Sequence, residues 1–392
     1  MQKFSQRRIL YVSPVSTMGG GEYTLLDLMS HIDRKDYYPV LVCPKPGVFS
    51  EKCKKLHIEV NYVPTLPAGG GRARDNLYSL IPNFFAIYNL IKKNKIDLVH
   101  ANHPRTAYHS GPAARISGIP HITHIREINN LPFRSAAKSL FLDKINDRII
   151  AVSCATHQAI LESRKSLKNK VSVIYDGLIP QPQFTGNHIE ALRNELRITS
   201  CFPVFAVIGS IIPLKGQEII VQAMPTILDK YPRAACLIVG EPFGNEGRTY
   251  QKRLQKIVDE LGISDHIVWT GFRNDVSLIM ASIDVLIHTP TLPDAFPHVL
   301  LEAGAQSTVI VASDIGGIRE IVYDRMTGRL VAPDQPTELA SVVLSLLANP
   351  SESEKFGQAA AGQVREKFSI EQHVNQVQSI YKELLSPHEN RH

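Results

Sequence analysis

Several things are missing from this sequence of 392 residues. No apolar run approaches the ~18 residues that cross a bilayer. The five cysteines (Cys43, Cys53, Cys154, Cys201, Cys236) form no C-x-x-C pair and are odd in number, which argues against zinc and against a disulfide framework. Cys154, Cys201 and Cys236 lie in apolar runs, where reduced core thiols belong, and this points to the cytoplasm. There is no G-x-G-x-x-G fingerprint, so a nicotinamide enzyme is a distant alternative. There is no Asp-x-Asp triplet to hold a divalent cation, and no basic stripe for a nucleic acid. The opening "MQKFSQRRILYVSPVS" carries positive charge but only a short apolar run and no small-residue cleavage pattern. It reads as a basic tail leading into a strand.

What is present is ordinary in bulk. Hydrophobic residues make up 44% and charged residues 20%, as in a soluble globular protein, and the length suggests about two domains. The net charge of +6 permits an anionic substrate or an anionic membrane surface without demanding either.

Along the chain, short Val- and Ile-rich runs alternate with helical patterns. Strands are expected at 8–13, 38–44, 59–64, 96–101, 121–125, 148–153 and 171–177, with helices such as 21–32 and 77–95 between them. A proline-rich polar stretch interrupts the rhythm, and 184–200 reads as a linker. The pattern then restarts with strands at 202–210, 235–241, 266–271, 284–290, 308–313 and 328–333. This predicts an α/β chain with two doubly wound parallel sheets, 1–183 and 201–369, facing across a ligand cleft. The final helical segment, 370–392, is expected to pack back on the first domain.

Two stretches carry chemistry. In "TLPDAFPHVLLEAGAQ" (291–306), Pro297 suits a helix start, whose amides and dipole favour a phosphate. Asp294 precedes that start. Glu302 follows among Val299, Leu300, Leu301, Ala303 and Ala305, a helix with no evident wet face. A carboxylate there needs compensation, either from two vicinal hydroxyls such as those of a ribose or from a basic side chain. In "VIGSIIPLKGQEIIVQA" (207–223), Lys215 sits at the mouth of a strand-to-helix loop, where an ammonium commonly meets a phosphate. A solvated surface lysine is the plainer reading of that residue alone.

Together these stretches resemble the GT-B glycosyltransferases of glycosyltransferase family 4. The resemblance rests on Asp294 and Glu302 with seven residues between them in "DAFPHVLLEA", and on "GSIIPLKG" upstream. The turn "SDIGGIREIV" (313–322) and the glycine loop "STMGGGE" (16–22) complete the set. The resemblance implies two Rossmann-like domains and transfer from a nucleotide-diphosphate sugar, with retention at the anomeric carbon and no metal or other cofactor. It assigns the donor ribose to Glu302 and the transferred sugar's hydroxyls to Asp294. Lys215 and the amides near Phe296 to Val299, a stretch that includes Pro297 and His298, would take the diphosphate, beside Gly209 and Ser210. The chain departs from the family at Ser210, where an arginine is usual.

In the first domain, Gly20 and Gly21 are expected either to line the cleft floor or to make a tight turn. His124 and Arg126 are the catalytic candidates, with a core histidine the other reading of His124. The run "PAGGGRARDN" (67–76) reads as a surface loop or an anion-binding lid, and helix 77–95, ending in Lys92, Lys93 and Lys95, as a sheet-covering helix or a peripheral membrane contact. The function expected is transfer of a sugar to a saccharide or lipid-linked acceptor in polysaccharide or glycoconjugate biosynthesis. The alternatives are a GT-B epimerase or phosphorylase, or a non-catalytic sugar-nucleotide-binding protein.

Overall fold

The computed structural model describes residues 6–66, 79–128 and 136–386. The run 67–76 therefore lies outside the described residues, as do the first two residues of the expected helix 77–95 and the last six of the segment 370–392. The chain divides into two compact units, Met1–Gly177 with Ile370–His392 and Leu178–Ser369.

In the first unit, β1 (Arg7–Val12), β2 (Tyr37–Cys43), β3 (Glu59–Tyr62), β4 (Leu98–Ala101), β5 (His121–Ile125), β6 (Arg148–Ala151) and β7 (Val171–Val173) form a parallel sheet. Its order is β3-β2-β1-β4-β5-β6-β7. In the second unit, β8 (Val204–Ile208), β9 (Ala235–Val239), β10 (Ile267–Gly271), β11 (Val285–His288), β12 (Val309–Ser313) and β13 (Arg329–Val331) are likewise parallel, ordered β10-β9-β8-β11-β12-β13. Phe205, Val207, Ile238, Ile287 and Val311 lie side by side in the core of this sheet, so its strands read as unbroken apolar runs. The strand order reverses between β1 and β4 in one unit and between β8 and β11 in the other. Ligands of such sheets bind at the carboxyl ends of the strands at that reversal.

Three expectations need correction. Residues 184–200 hold a helix, Gly186–Glu195, whose entry is fixed by a contact of 3.0 Å between Thr185 Oγ1 and His188 Nδ1. It buries Leu192 and packs on the helix Val276–Ser282. With so little apolar surface inward, its polar composition resembles that of a linker. Second, Cys154 is exposed and Cys201 half-buried, whereas Cys43 and Cys53 join Cys236 in the interior; all five are free thiols. Third, the helix expected over 77–95 is described as Leu80–Lys93, with Pro82 in its first turn, where a missing N–H costs nothing.

The C-terminal helix, Ile370–Leu385, belongs to the first unit. It buries Ile370, His373, Val374, Val377, Tyr381 and Leu384, a stripe with helical spacing. Beneath it the Tyr381 hydroxyl meets His100 Nδ1 on β4, and Tyr11 on β1 at 3.1 Å.

Candidate active site

The second unit brings its two chemistry-bearing stretches together at the β8/β11 reversal. After β8 the chain makes a single 3-10 turn, Pro213–Lys215, and enters the helix Gln217–Leu228 through Gly216. Gly216 has φ of 66°, and a Cβ there would stand 1.8 Å from the Thr289 carbonyl oxygen. Only glycine lets the loop lie this close to the chain leaving β11. Thr289 Oγ1 donates to the Gly216 carbonyl at 3.2 Å, and the Thr291 amide donates to the Leu214 carbonyl at 3.0 Å, so the two loops are fastened together.

The fastening sets Lys215 against Asp294. Lys215 Nζ donates to Asp294 Oδ2 at 2.7 Å, and both side chains are mostly covered. The turn at 316–317 holds Asp294 from the other side. Gly316 has φ of 59° and passes so close that a Cβ would meet the Asp294 carbonyl oxygen at 2.5 Å, while the Gly317 amide donates to that oxygen at 2.8 Å. Burial, the largest influence on the Asp294 carboxyl, would raise its pKa. His288 and Lys215 outweigh it and hold the group well below the usual carboxylate range.

Pro297 occupies the cap position of the helix His298–Ala305, one place before the first turn. No side chain caps that terminus. Phe296 is buried with its ring edge-on to Phe368, centroids 5.5 Å apart, and fixes the approach of the chain. The helix is not buried all round. Leu300, Leu301, Ala303 and Gly304 are inside, but His298, Glu302 and Ala305 share a half-open strip. Glu302 is 29% exposed and faces His298 Nδ1 at 3.7 Å. The expected buried acid is thus an acid at the edge of the core, and water meets part of its solvation need. Val299 is half-buried, Ser210 is exposed, and the Ser210 carbonyl accepts from Gln217 Nε2 at 3.0 Å. Gly209, with φ of 145°, directly follows β8.

The first unit builds a separate cluster at its own reversal. Gly20 and Gly21 open the helix Gly20–His31 after β1. A Cβ on Gly21 would lie 3.6 Å from Arg126 Cδ, and Asn102 Nδ2 donates to the Gly21 carbonyl at 3.2 Å. Arg126 is held by Asp176 through two hydrogen bonds of 3.2 Å and donates to Asn102 Oδ1. His124 lies deeper, with no exposed surface, its ring stacked between those of His100 (5.5 Å) and His373 (6.1 Å). Burial, then the charge of Arg126, drives its pKa well below the ordinary value. His124 is therefore a neutral core histidine and Arg126 the group at the rim. The sequence reading missed Asp176 and Asn102, which position Arg126, and His288, whose Nε2 lies 3.7 Å from Asp294 Oδ2. The only signal for His288 was a histidine closing the buried strand in "DVLIHTP".

Two doubly wound units of this kind, one carrying a Lys–Asp pair and a helix start at its switch point, make up the GT-B class of nucleotide-sugar folds. The model described as Glycosyltransferase Family 4 matches residues 18–181, and that described as Glycosyl transferases group 1 matches 188–363. The chain belongs to glycosyltransferase family 4. The solved structure of Anabaena HepE with UDP-glucose superimposes with a TM-score of 0.84, covering 96% of this chain and 100% of that one at 23% identity, which establishes the shared fold. A D-inositol 3-phosphate glycosyltransferase of Streptomyces coelicolor is 30% identical over 55% of this chain and 51% of its own length, so the chain spans about half of that relative. An Escherichia coli UDP-Gal:alpha-D-GlcNAc-diphosphoundecaprenol alpha-1,3-galactosyltransferase is 22% identical over 83% of this chain and 84% of that one.

Proposed function

We propose that the protein is a glycosyltransferase that moves a sugar from a nucleotide-diphosphate sugar to a saccharide or lipid-linked acceptor, with retention and without a metal ion. The observation that carries this reading is the Lys215–Asp294 pair at the β8/β11 switch point, beside the uncapped start of the helix His298–Ala305. In this reading Lys215 and the backbone N–H groups around Pro297, at Phe296, His298 and Val299, take the diphosphate, Glu302 the ribose hydroxyls, and Asp294 the hydroxyls of the moving sugar. Arg126, with Gly20 and Gly21, serves the acceptor side. The relatives lend support: HepE is described with UDP-glucose, and the E. coli relative is named for transfer to a diphosphoundecaprenol-linked sugar.

In the transfer, the bond from the anomeric carbon to the diphosphate oxygen breaks. The acceptor oxygen bonds to that carbon on the same face, and the acceptor proton passes to the leaving diphosphate. Fixed charges from Lys215 and the helix terminus neutralise the developing charge, so no ion is needed. The sequence fits this route in that no Asp-x-Asp triplet is present. Retention is supported by the full burial of His124, which leaves that ring no access to an acceptor hydroxyl as the base of an inverting attack.

The test is transfer from a panel of UDP-, GDP- and ADP-sugars after exhaustive chelation, with NMR of the new linkage. Turnover that only Mg²⁺ or Mn²⁺ restores, or an inverted anomeric centre, overturns the corresponding half. Donor binding with neither transfer nor hydrolysis identifies a non-catalytic relative instead.

Exposed Ile81 and Phe85, one turn apart on the helix Leu80–Lys93, share a stripe with Lys92. They support a cytoplasmic protein that touches an anionic membrane through this helix, where lipid-linked acceptors reside. Vesicles containing phosphatidylserine should carry the protein in flotation and lose it on Phe85→Ser. Equal flotation of the two proteins refutes the contact.

A further inference from the structure

Asp294 has two cation-forming neighbours, and both address the same oxygen. Lys215 Nζ is 2.7 Å from Oδ2, and His288 Nε2 is 3.7 Å from it. His288 closes β11 and is almost fully buried, and its Nε2 has no hydrogen-bond partner among the described residues. A buried ring nitrogen without a partner, aimed at a carboxylate it does not quite reach, is an arrangement that needs a reason. The geometry supplies one. Lys215 occupies the oxygen and keeps the imidazole at a distance, and the ammonium also disfavours a second positive charge beside it.

The proposed function gives Lys215 another destination. A diphosphate carries two negative charges and attracts the ammonium away from Asp294. The carboxylate, largely shielded from water, is then left without its cation. We propose that His288 is the positioning residue that takes over: it gains a proton from solvent as Lys215 moves to the diphosphate, and its imidazolium then holds Asp294 in place for the sugar hydroxyls. The inference rests on the reading of Lys215 as the phosphate group. The charged groups facing His288 are Asp294 and Lys215. In the empty site, burial first and Lys215 after it keep the imidazole neutral. With Lys215 withdrawn, the second of these disappears while the attraction of Asp294 remains.

Donor binding therefore takes up one proton, and affinity falls as pH rises. The experiment is calorimetry with UDP-glucose, ADP-glucose and GDP-mannose, diphosphate diesters without a titrating phosphate near neutrality. The donor that binds is titrated at pH 7 in phosphate and in Tris, whose ionisation heats differ. The expected result is an apparent enthalpy that differs between the buffers by the heat of up to one proton taken up per site, and a Kd that rises up to tenfold per pH unit above neutrality. His288→Asn, which keeps a polar partner but cannot charge, should abolish the uptake and flatten the pH profile while donor still binds at pH 9 as in wild type. Lys215→Ala should also abolish the uptake, because His288 is already protonated when its competitor is gone. Binding that Lys215→Ala weakens but that carries no proton uptake in the wild-type protein overturns this inference and leaves the donor-site reading intact. Failure of all three donors to bind overturns both. The wild-type measurement decides the matter even where His288→Asn does not fold.

Discussion

Replacing Lys215 by alanine tests the donor site most directly, and the structure sets how large the effect should be. A charge-assisted hydrogen bond contributes about 1.5–3 kcal/mol. The lysine does not come to the phosphate from water, however; it leaves Asp294, which it already contacts at 2.7 Å. Binding gains the difference between two contacts of the same kind. We therefore expect Lys215→Ala to weaken the nucleoside diphosphate by about tenfold, or about 1.4 kcal/mol. The loss should be greater in turnover, because the leaving diphosphate gains charge that Asp294 cannot match. There kcat/KM should fall by about a hundredfold. Calorimetry with the nucleoside mono- and diphosphate separates the phosphates, and the variant should lose most of the preference for the diphosphate. A variant with wild-type kcat/KM would sink the argument, as would a wild-type protein that binds the monophosphate as tightly as the diphosphate.

Glu302→Ala should reduce donor affinity by at least tenfold through the lost ribose contacts while the fold survives, since the side chain is partly exposed and faces His298 Nδ1 only at 3.7 Å; unchanged affinity in calorimetry refutes the ribose role. Acid should destabilise the protein through its buried histidines. Burial lowers His109 and His121 from 6.5 to about 4, and it holds His100 and His124 well below 6.5 as well. Below pH 6.5 the unfolded chain binds protons that the folded one refuses. Stability present above that pH is therefore lost as pH falls toward 4, at up to about 1.4 kcal/mol per unit for each histidine. Urea midpoints at pH 7.5 and 5.5 give the comparison, and equal values contradict the assignment of these rings as neutral.

The strands were the most legible part of the chain because a parallel sheet covered on both faces leaves unbroken Val and Ile runs. Motif spacing likewise brought Asp294, Glu302 and Lys215 to notice. Their pairing was not legible, because Lys215 and Asp294 meet through two loops fastened by Thr289 and Gly216, residues far apart in the chain. Glu302 was misjudged for a related reason: Ala305 and His298 look ordinary in a sequence, and only the packing shows that they share an open strip with it. The linker was misread because the helix Gly186–Glu195 buries one leucine and signals itself mainly through its Thr185–His188 cap.

The return of the helix Ile370–Leu385 to the first unit makes the second unit an insertion in the chain. On the ribosome, β1 and β4 emerge early, but Tyr11 and His100 wait for Tyr381 until all of 178–369 has been synthesised. At roughly 5–20 residues per second, that delay is on the order of ten to forty seconds. Throughout it, the first unit exposes the apolar surface that the helix later covers, and the second, complete once residue 369 has emerged, can close its core before that helix is made. Assembly should thus run inside out along the sequence, with the inserted unit folding first and the unit that begins the chain finishing last.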